Sequence, residues 1–169
     1  GKWEPQRVDL EKLLASSKSE DASKPYPFYL AYALENEPDS LGEVSAWQVE
    51  WKWDGIRAQL IKRAGEVYLW SRGEELLNDS FPDLVEAAHA LPNGTVLDGE
   101  LVIMDETGLR SFAALQQRLG RKKPGKKLQQ QLPAGLLCYD LLEWANQDWR
   151  AHPLRARRAQ LEACCHDAR

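Results

Sequence analysis

The chain has little that would place it in a membrane, a metal cluster or a disulfide framework. No apolar run approaches the ~20 residues needed to span a bilayer, and no secretory-type leader opens the sequence. Only three cysteines occur in 169 residues. Cys138 lies in an apolar run and Cys164 and Cys165 are adjacent, so no Cys-x-x-Cys or Cys/His spacing suits a zinc site. Three free thiols in a reducing compartment is the simplest reading, and the expected location is cytoplasmic. Internal repeats and low-complexity segments are absent. So is the positive excess common in nucleic-acid binders: 22 Lys and Arg face 26 Asp and Glu, a net charge of −4. His89, His152 and His166 fall in helix-like or linker segments and read as surface or packing residues.

What is present is domain-sized and able to build a core, with 43% hydrophobic residues and seven tryptophans. Residues 1–24 read as a short helix (Asp9 to Ala15) and a polar linker, and residues 25–169 as the folded unit. Trp47, Val49, Trp51 and Trp53 alternate with Gln48, Glu50 and Lys52, which predicts a half-buried strand with four large apolar side chains facing a core. Asp54-Gly55 then supplies hairpin-turn chemistry. Further strands are expected at Arg57 to Arg63, Val67 to Ser71, Thr95 to Met104 and Leu136 to Leu142. Helices are expected at Phe81 to Leu91, Ser111 to Leu119 and Pro153 to Cys165, the first and last with a proline at the start. Strands joined by hairpins imply a largely antiparallel sheet, and the class is α+β.

Lys52 is the residue with the most chemistry around it. It stands in Glu50-Trp51-Lys52-Trp53-Asp54-Gly55-Ile56-Arg57, between carboxylates and with an arginine across the turn. That equips it for covalent chemistry on an anionic substrate. On this stretch alone the alternative stays open: an exposed strand lysine beside an ordinary turn. Ser71-Arg72-Gly73, Asp98-Gly99-Glu100 and Tyr139-Asp140 follow, each at or within a predicted strand. Singly they read as a turn, a bulge and a core aromatic, with Asp98 and Glu100 as ordinary solvated pairs. In this order they form a set. A second cluster, Arg118, Arg121, Lys122, Lys123, Lys126 and Lys127, is interrupted by Gly120, Pro124 and Gly125 and predicts a flexible basic loop. Such a loop is either simply solvated or laid along duplex phosphates.

The ordered set resembles the covalent nucleotidyltransferases, and among them the ATP-dependent DNA ligases of the bacterial branch. Lys52 to Arg57 matches the Lys-x-Asp-Gly-x-Arg motif, and Ser71-Arg72-Gly73, Asp98-Gly99-Glu100-Leu101-Val102 and Tyr139-Asp140 match the motifs after it. Pro27-Phe28-Tyr29-Leu30-Ala31 is similar to the leader that precedes the first motif. The resemblance covers roughly residues 25 to 165 and implies the nucleotidyltransferase, ATP-grasp-like fold. It implies that Lys52 becomes AMP-linked, with AMP then passed to a 5′-phosphate at a nick in DNA repair, replication or recombination. ATP and Mg²⁺ (or Mn²⁺) would be the cofactors and nicked duplex DNA the partner. Glu50 and the backbone of Trp51 would read adenine, and Arg57 would sit near ribose and phosphate. Arg72 would contact nucleotide and nick, Glu100 a ribose hydroxyl or the metal, and Tyr139 would stack on the base where the family more often has phenylalanine. The basic cluster would bind DNA. An RNA ligase, a capping-type nucleotidyltransferase and a non-catalytic DNA-binding fragment are the alternatives.

An attacking lysine must be neutral, whereas an ordinary lysine (pKa ~10.4) is protonated at neutral pH. Arg57, Arg72 and a bound metal would favour the neutral amine, and Glu50 and Asp54 would oppose it. The family pattern continues with a Glu-Gly strand, a Lys-x-Lys strand and an OB-fold domain, none of which occurs between Tyr139 and Arg169. With Gly1 in place of Met, the expectation is the N-terminal part of an adenylation domain: folded, inactive by itself, and open to self-association through an exposed sheet edge.

Overall fold

The computed structural model describes residues 22–166; the expected helix at Asp9 to Ala15 lies outside them. A strap of extended chain, residues 24–35, is followed by two 3-10 turns at Pro38–Leu41 and Val44–Ala46 and then by coil. The regular elements follow as β1 (Ile56–Arg63), β2 (Glu66–Ser71), α1 (Pro82–Ala88), β3 (Thr95–Asp105), β4 (Gly108–Leu109) and α2 (Phe112–Leu119). Next come α3 (Lys126–Gln131), β5 (Ala134–Trp144), β6 (Gln147–Asp148) and α4 (Leu154–His166). The sheet runs β2-β1-β3-β5-β6, with β4 folded onto the end of β3, and every pairing is antiparallel. The α+β class and the antiparallel sheet are therefore as the sequence predicts.

Local chemistry accounts for the hairpins. Ala64 and Gly65 both take positive φ (52° and 84°), the two-residue turn whose twist matches its strands, so Arg63 pairs directly with Glu66. Ala145 and Asn146 repeat this between β5 and β6 (φ 50° and 67°). Ala58 and Leu60 of β1 join Val67, Leu69, Leu101 and Ile103 in a core closed by Phe81, Ala88, Ala114 and Leu115 from the helical side. Leu161 of α4 covers Leu97 and Leu141. By strand periodicity the opposite face of β1 carries Arg57, Gln59, Ile61 and Arg63, and the strap crosses this face. Among the described residues β5 pairs on its outer side only through Glu143 and Trp144.

Two expectations fail for physical reasons. Residues 47–53 form no strand: Trp47, Val49 and Trp51 are 54%, 93% and 81% exposed. A period-2 pattern sorts side chains onto two faces but cannot supply the neighbouring strand that a ladder needs, and none among the described residues lies alongside. Asp54-Gly55 is accordingly a bend leading into β1 and not a hairpin turn. Glycine is required there by close approach: a Cβ would meet the Leu101 carbonyl oxygen and lie 2.8 Å from Glu100 Cγ.

The second failure is the basic segment, which is not a flexible loop. Gly120 ends α2, but Pro124 is buried, the Lys123 N–H donates to the Asp79 carbonyl, and Gly125 opens the helix α3. Arg118, expected above to bind DNA with its basic neighbours, cannot do so because its side chain is fully buried. It donates to Asp83 at 2.5 and 3.2 Å, to the Ser80 carbonyl at 3.0 and 3.2 Å and to the Leu132 carbonyl at 2.6 Å, tying α1, α2 and the end of α3 together. Ser111 caps α2 by position only, without a side-chain hydrogen bond.

Removing one partner of a buried charge network strands the other. Arg118→Ala is expected to cost about 3–5 kcal/mol in urea unfolding, whereas Arg121→Ala, on the surface, should stay within about 0.5 kcal/mol. Equal effects at the two positions would reject the buried tie. Gly55→Ala is expected to destabilise by about 1–3 kcal/mol through overpacking. Gly73→Ala is its control, since its Cβ meets only Ser71 Oγ at 3.7 Å.

Candidate functional site

Where the 47–55 coil meets the open face of the sheet, a cavity of about 840 Å³ forms. Its walls include Glu50, Trp51, Lys52, Arg57, Arg72, Glu100 and Tyr139, so every residue singled out from the motifs as a nucleophile or nucleotide contact lines one space. They come from the coil (Glu50 to Lys52), from β1, from the turn after β2, from β3 and from β5. Antiparallel register does the gathering: Arg57 lies opposite Glu100, and Asp98 opposite Asp140, beside Tyr139. Lys52 itself is exposed at the mouth. The basic residues Arg121, Lys122, Lys123, Lys126 and Lys127 are exposed and do not line the cavity.

Arg57 is the centre of the network. Its Nε and Nη2 donate to the two Asp98 oxygens at 3.3 and 3.0 Å, and Nη1 donates to the Tyr29 carbonyl of the strap. The guanidinium also lies 5.6 Å from the Phe28 ring centre and 5.8 Å from that of Tyr139. A guanidinium has five N–H groups, which leaves about two for a ligand. Asp98 is 4% exposed, so the reading of it as a solvated surface acid does not hold. Burial pushes its carboxyl above the usual carboxylate range, and Arg57 together with the Tyr139 hydroxyl draws it only partly back. Burial and the Asp98 charge in turn push the Tyr139 hydroxyl up, keeping it a donor.

Glu100 is half-buried and accepts the Gly55 N–H. Burial raises its carboxyl, and the charges of Lys52 and Arg57 and the Gly55 hydrogen bond oppose the rise. The lysine, its turn and this carboxylate therefore form one unit. Arg72 is exposed but anchored through its backbone, whose N–H donates to the Arg57 carbonyl at 2.9 Å. Ser71 fixes that turn, exchanging hydrogen bonds with the Glu75 backbone. Glu50 lies 3.8 Å from Arg158 of α4. Sequence reasoning missed Trp53, Phe112 and Leu119 as wall residues, the last two because they share an apolar helical face that reads as core.

A second cavity of about 810 Å³ lies across Arg57 and Tyr139 from the first, bounded by the strap residues Tyr26 to Leu30 and by Asp140 and Arg157. Arg157 and Asp140 are paired at 2.7 and 2.9 Å. For a metal, no cluster of three or more His, Cys, Asp or Glu side chains suited to an ion occurs among the described residues. Glu100 offers a single carboxylate, which suits a divalent cation held largely by a nucleotide's phosphates and water rather than by a protein cage. No helix among the described residues is long and apolar enough to cross a membrane.

Comparison with known proteins agrees with this geometry. Residues 29–169 match the family described as "ATP dependent DNA ligase domain". A "Probable DNA ligase" of Opitutus terrae is 43% identical over 119 residues, covering 70% of this chain and 12% of that protein. Another from Koribacter versatilis is 35% identical over 138 residues, and a DNA ligase of Haloferax volcanii 38% over 132. The chain thus spans about a quarter or less of the length of these relatives (12%, 24% and 23%). Among solved structures, mycobacterial DNA ligase D complexed with ATP and MES superposes with a TM-score of 0.56 at 29% identity, covering 69% of this chain and 36% of that one. The ligase domain of M. tuberculosis LigD gives 0.54 at 26%, covering 70% and 36%. With its motifs on one cavity and most of its length matched by the family, the chain belongs to the ATP-dependent DNA ligases.

Proposed function

We propose that the cavity around Lys52 binds ATP and that Lys52 is the nucleophile of a self-adenylating step. The convergence of five motif side chains, Lys52, Arg57, Arg72, Glu100 and Tyr139, with Glu50 and Trp51 beside them on one space carries the reading. The neutral Lys52 amine attacks the α-phosphorus, an Nζ–P bond forms, the bond to pyrophosphate breaks, and the amine proton is lost to solvent. Arg72 and the unused N–H groups of Arg57 grip phosphate and ribose oxygens. Tyr139 supplies a flat face for adenine, held in place by its hydrogen bond to Asp98. Glu100 accepts a ribose hydroxyl or helps hold Mg²⁺, which when bound neutralises charge on the leaving pyrophosphate. Glu50 and the Trp51 backbone read the adenine edge. In the longer protein, AMP passes from Lys52 to a 5′-phosphate and the nick is sealed.

Phosphates of nicked duplex DNA are bound by Arg72, Arg121, Lys122, Lys123, Lys126 and Lys127. The exposure of all six supports this, as does the place of Arg121 to Lys127 directly after α2, whose Phe112 and Leu119 wall the cavity. A net charge of −4 does not oppose it, because residues 121–127 carry five positive side chains and no acidic one. The outer edge of β5, which among the described residues pairs only at Glu143 and Trp144, offers a second copy of the chain a place to pair.

In a ligase containing this chain, ATP and magnesium are expected to place AMP on Lys52, located by peptide mass spectrometry. Lys52→Arg keeps the charge but holds its proton, so the adduct should vanish. AMP on another lysine would reject the assignment, and labelling by GTP in preference to ATP would favour a capping-type enzyme. Neutral replacements at Lys122, Lys123, Lys126 and Lys127 should flatten the slope of log DNA affinity against log salt by up to about 0.9 for each phosphate no longer neutralised. Lysine adenylation should stay near normal. Unchanged DNA affinity at low salt would leave this segment merely solvated.

A further inference from the structure

Gln59 is fully buried in the middle of β1, on a face that also carries Arg57, Ile61 and Arg63. Its side chain makes two hydrogen bonds, both to the backbone of one residue in the strap. The Tyr26 N–H donates to Gln59 Oε1 at 2.8 Å, and Gln59 Nε2 donates to the Tyr26 carbonyl at 3.0 Å. The amide thus imitates a residue of a neighbouring strand, offering one donor and one acceptor to a chain that no ladder holds. Further anchors hold the chain at or before Tyr26. Trp70 Nε1 donates to the Ser23 carbonyl at 2.7 Å, Arg63 Nη1 donates to the carbonyls of Ala22 and Lys24, and the Tyr26 hydroxyl donates to Glu143 at 2.8 Å.

Just beyond this point the strap turns into the site. Phe28 lies against the Arg57 guanidinium, the Tyr29 carbonyl accepts from Arg57, and Leu30 and Ala31 form part of the wall of the Lys52 cavity. From Tyr29 to Ala31 the chain is exposed and has little of its own to hold it. Between Tyr26 and the wall the strap is held by Arg57, through the Phe28 ring and the Tyr29 carbonyl, so the two backbone bonds at Tyr26, both made by the Gln59 side chain, set where the strap meets Arg57.

We propose that Gln59 is a positioning residue for the nucleotide cavity: it clamps the strap at Tyr26 so that Phe28 to Ala31 hold Arg57 and close the wall beside Lys52. The proposal rests on the nucleotide reading of that cavity. Gln59 touches no ligand; it acts through the strap. Its loss should release the strap while the core of β1, β3 and β5, built on Leu60, Leu97, Leu101 and Leu141, stays folded.

The test follows two readouts on the 169-residue chain: hydrogen-exchange protection and ATP affinity from titration to millimolar concentration. In Gln59→Leu both Tyr26 backbone groups lose their partners, and protection of the Tyr26 N–H is expected to fall about tenfold, with a similar loss of ATP affinity. Protection at Leu60, Leu97 and Leu101 should hold. Gln59→Glu guards against a variant that merely misfolds, because a protonated carboxyl both donates and accepts as the amide does and an ionised one cannot donate. With a carboxyl near its ordinary pKa of ~4.3, this variant should clamp the strap at about pH 4 and release it at about pH 8. The charged groups facing this position, Arg57 and Arg63 on β1, Asp98 on β3, Glu143 on β5, and Arg150 after β6, are shared with the wild-type chain measured at the same pH. Undiminished strap protection in Gln59→Leu, or a released strap with undiminished ATP affinity, overturns the proposal. A wild-type chain that shows no response to ATP instead sinks the nucleotide reading itself, and the wild-type control makes the two failures distinguishable.

Discussion

One guanidinium holds the site together. Arg57 reaches β3 through two bonds to Asp98, the strap through Tyr29, and the rings of Phe28 and Tyr139 on either side. It stands between the two cavities and contributes to both. A lysine could not replace it, since a point charge with three rotating donors cannot span a carboxylate and a carbonyl in fixed directions. The ion pair is buried on the Asp98 side and partly wet on the Arg57 side. Such a pair contributes more to geometry than to net stability. Its use here is to fix a cation where an anionic ligand would enter.

The sheet explains how distant motifs meet. Lys52 and Tyr139 lie far apart in sequence, and the β1–β3–β5 register brings their neighbourhoods onto one face. Gly55 and Gly99 permit the close approach: a Cβ at either would crowd backbone or side-chain atoms of the next strand, at 2.8 Å from the Leu137 oxygen for Gly99. The Asp-Gly and Gly-Glu pairs in the motifs are thus packing requirements as much as chemical ones.

Much of this was legible in the sequence, and the limits are instructive. β1, β2, β3, β5 and α4 fall where periodicity and punctuation place them, because their patterns are local and long enough to be unambiguous. The Trp47 to Trp53 alternation was equally clear and led to the wrong element, because a strand also needs a partner that the pattern cannot reveal. Arg118 looked like one more cation in a basic run. Its burial depends on Asp83, Ser80 and Leu132, all remote in sequence. Gln59 carried no signal at all, since a polar residue on an otherwise half-buried strand reads as solvent-facing until the strap across it is seen. The side chains proposed for chemistry were found more easily than those that position them, because chemistry repeats in motifs and positioning depends on the fold.

The central claim is that the space around Lys52 is the nucleotide site. Amide chemical-shift mapping of the ¹⁵N-labelled chain during titration with ATP tests it most directly and tolerates weak binding. The account predicts that the largest shifts cluster at Lys52, Gly55, Arg57, Arg72, Glu100 and Tyr139, which face one cavity although they are scattered in sequence. Shifts confined to the basic segment from Arg121 to Lys127, or centred on the groove between α1 and α4 near Leu91 and Gln160, would contradict it.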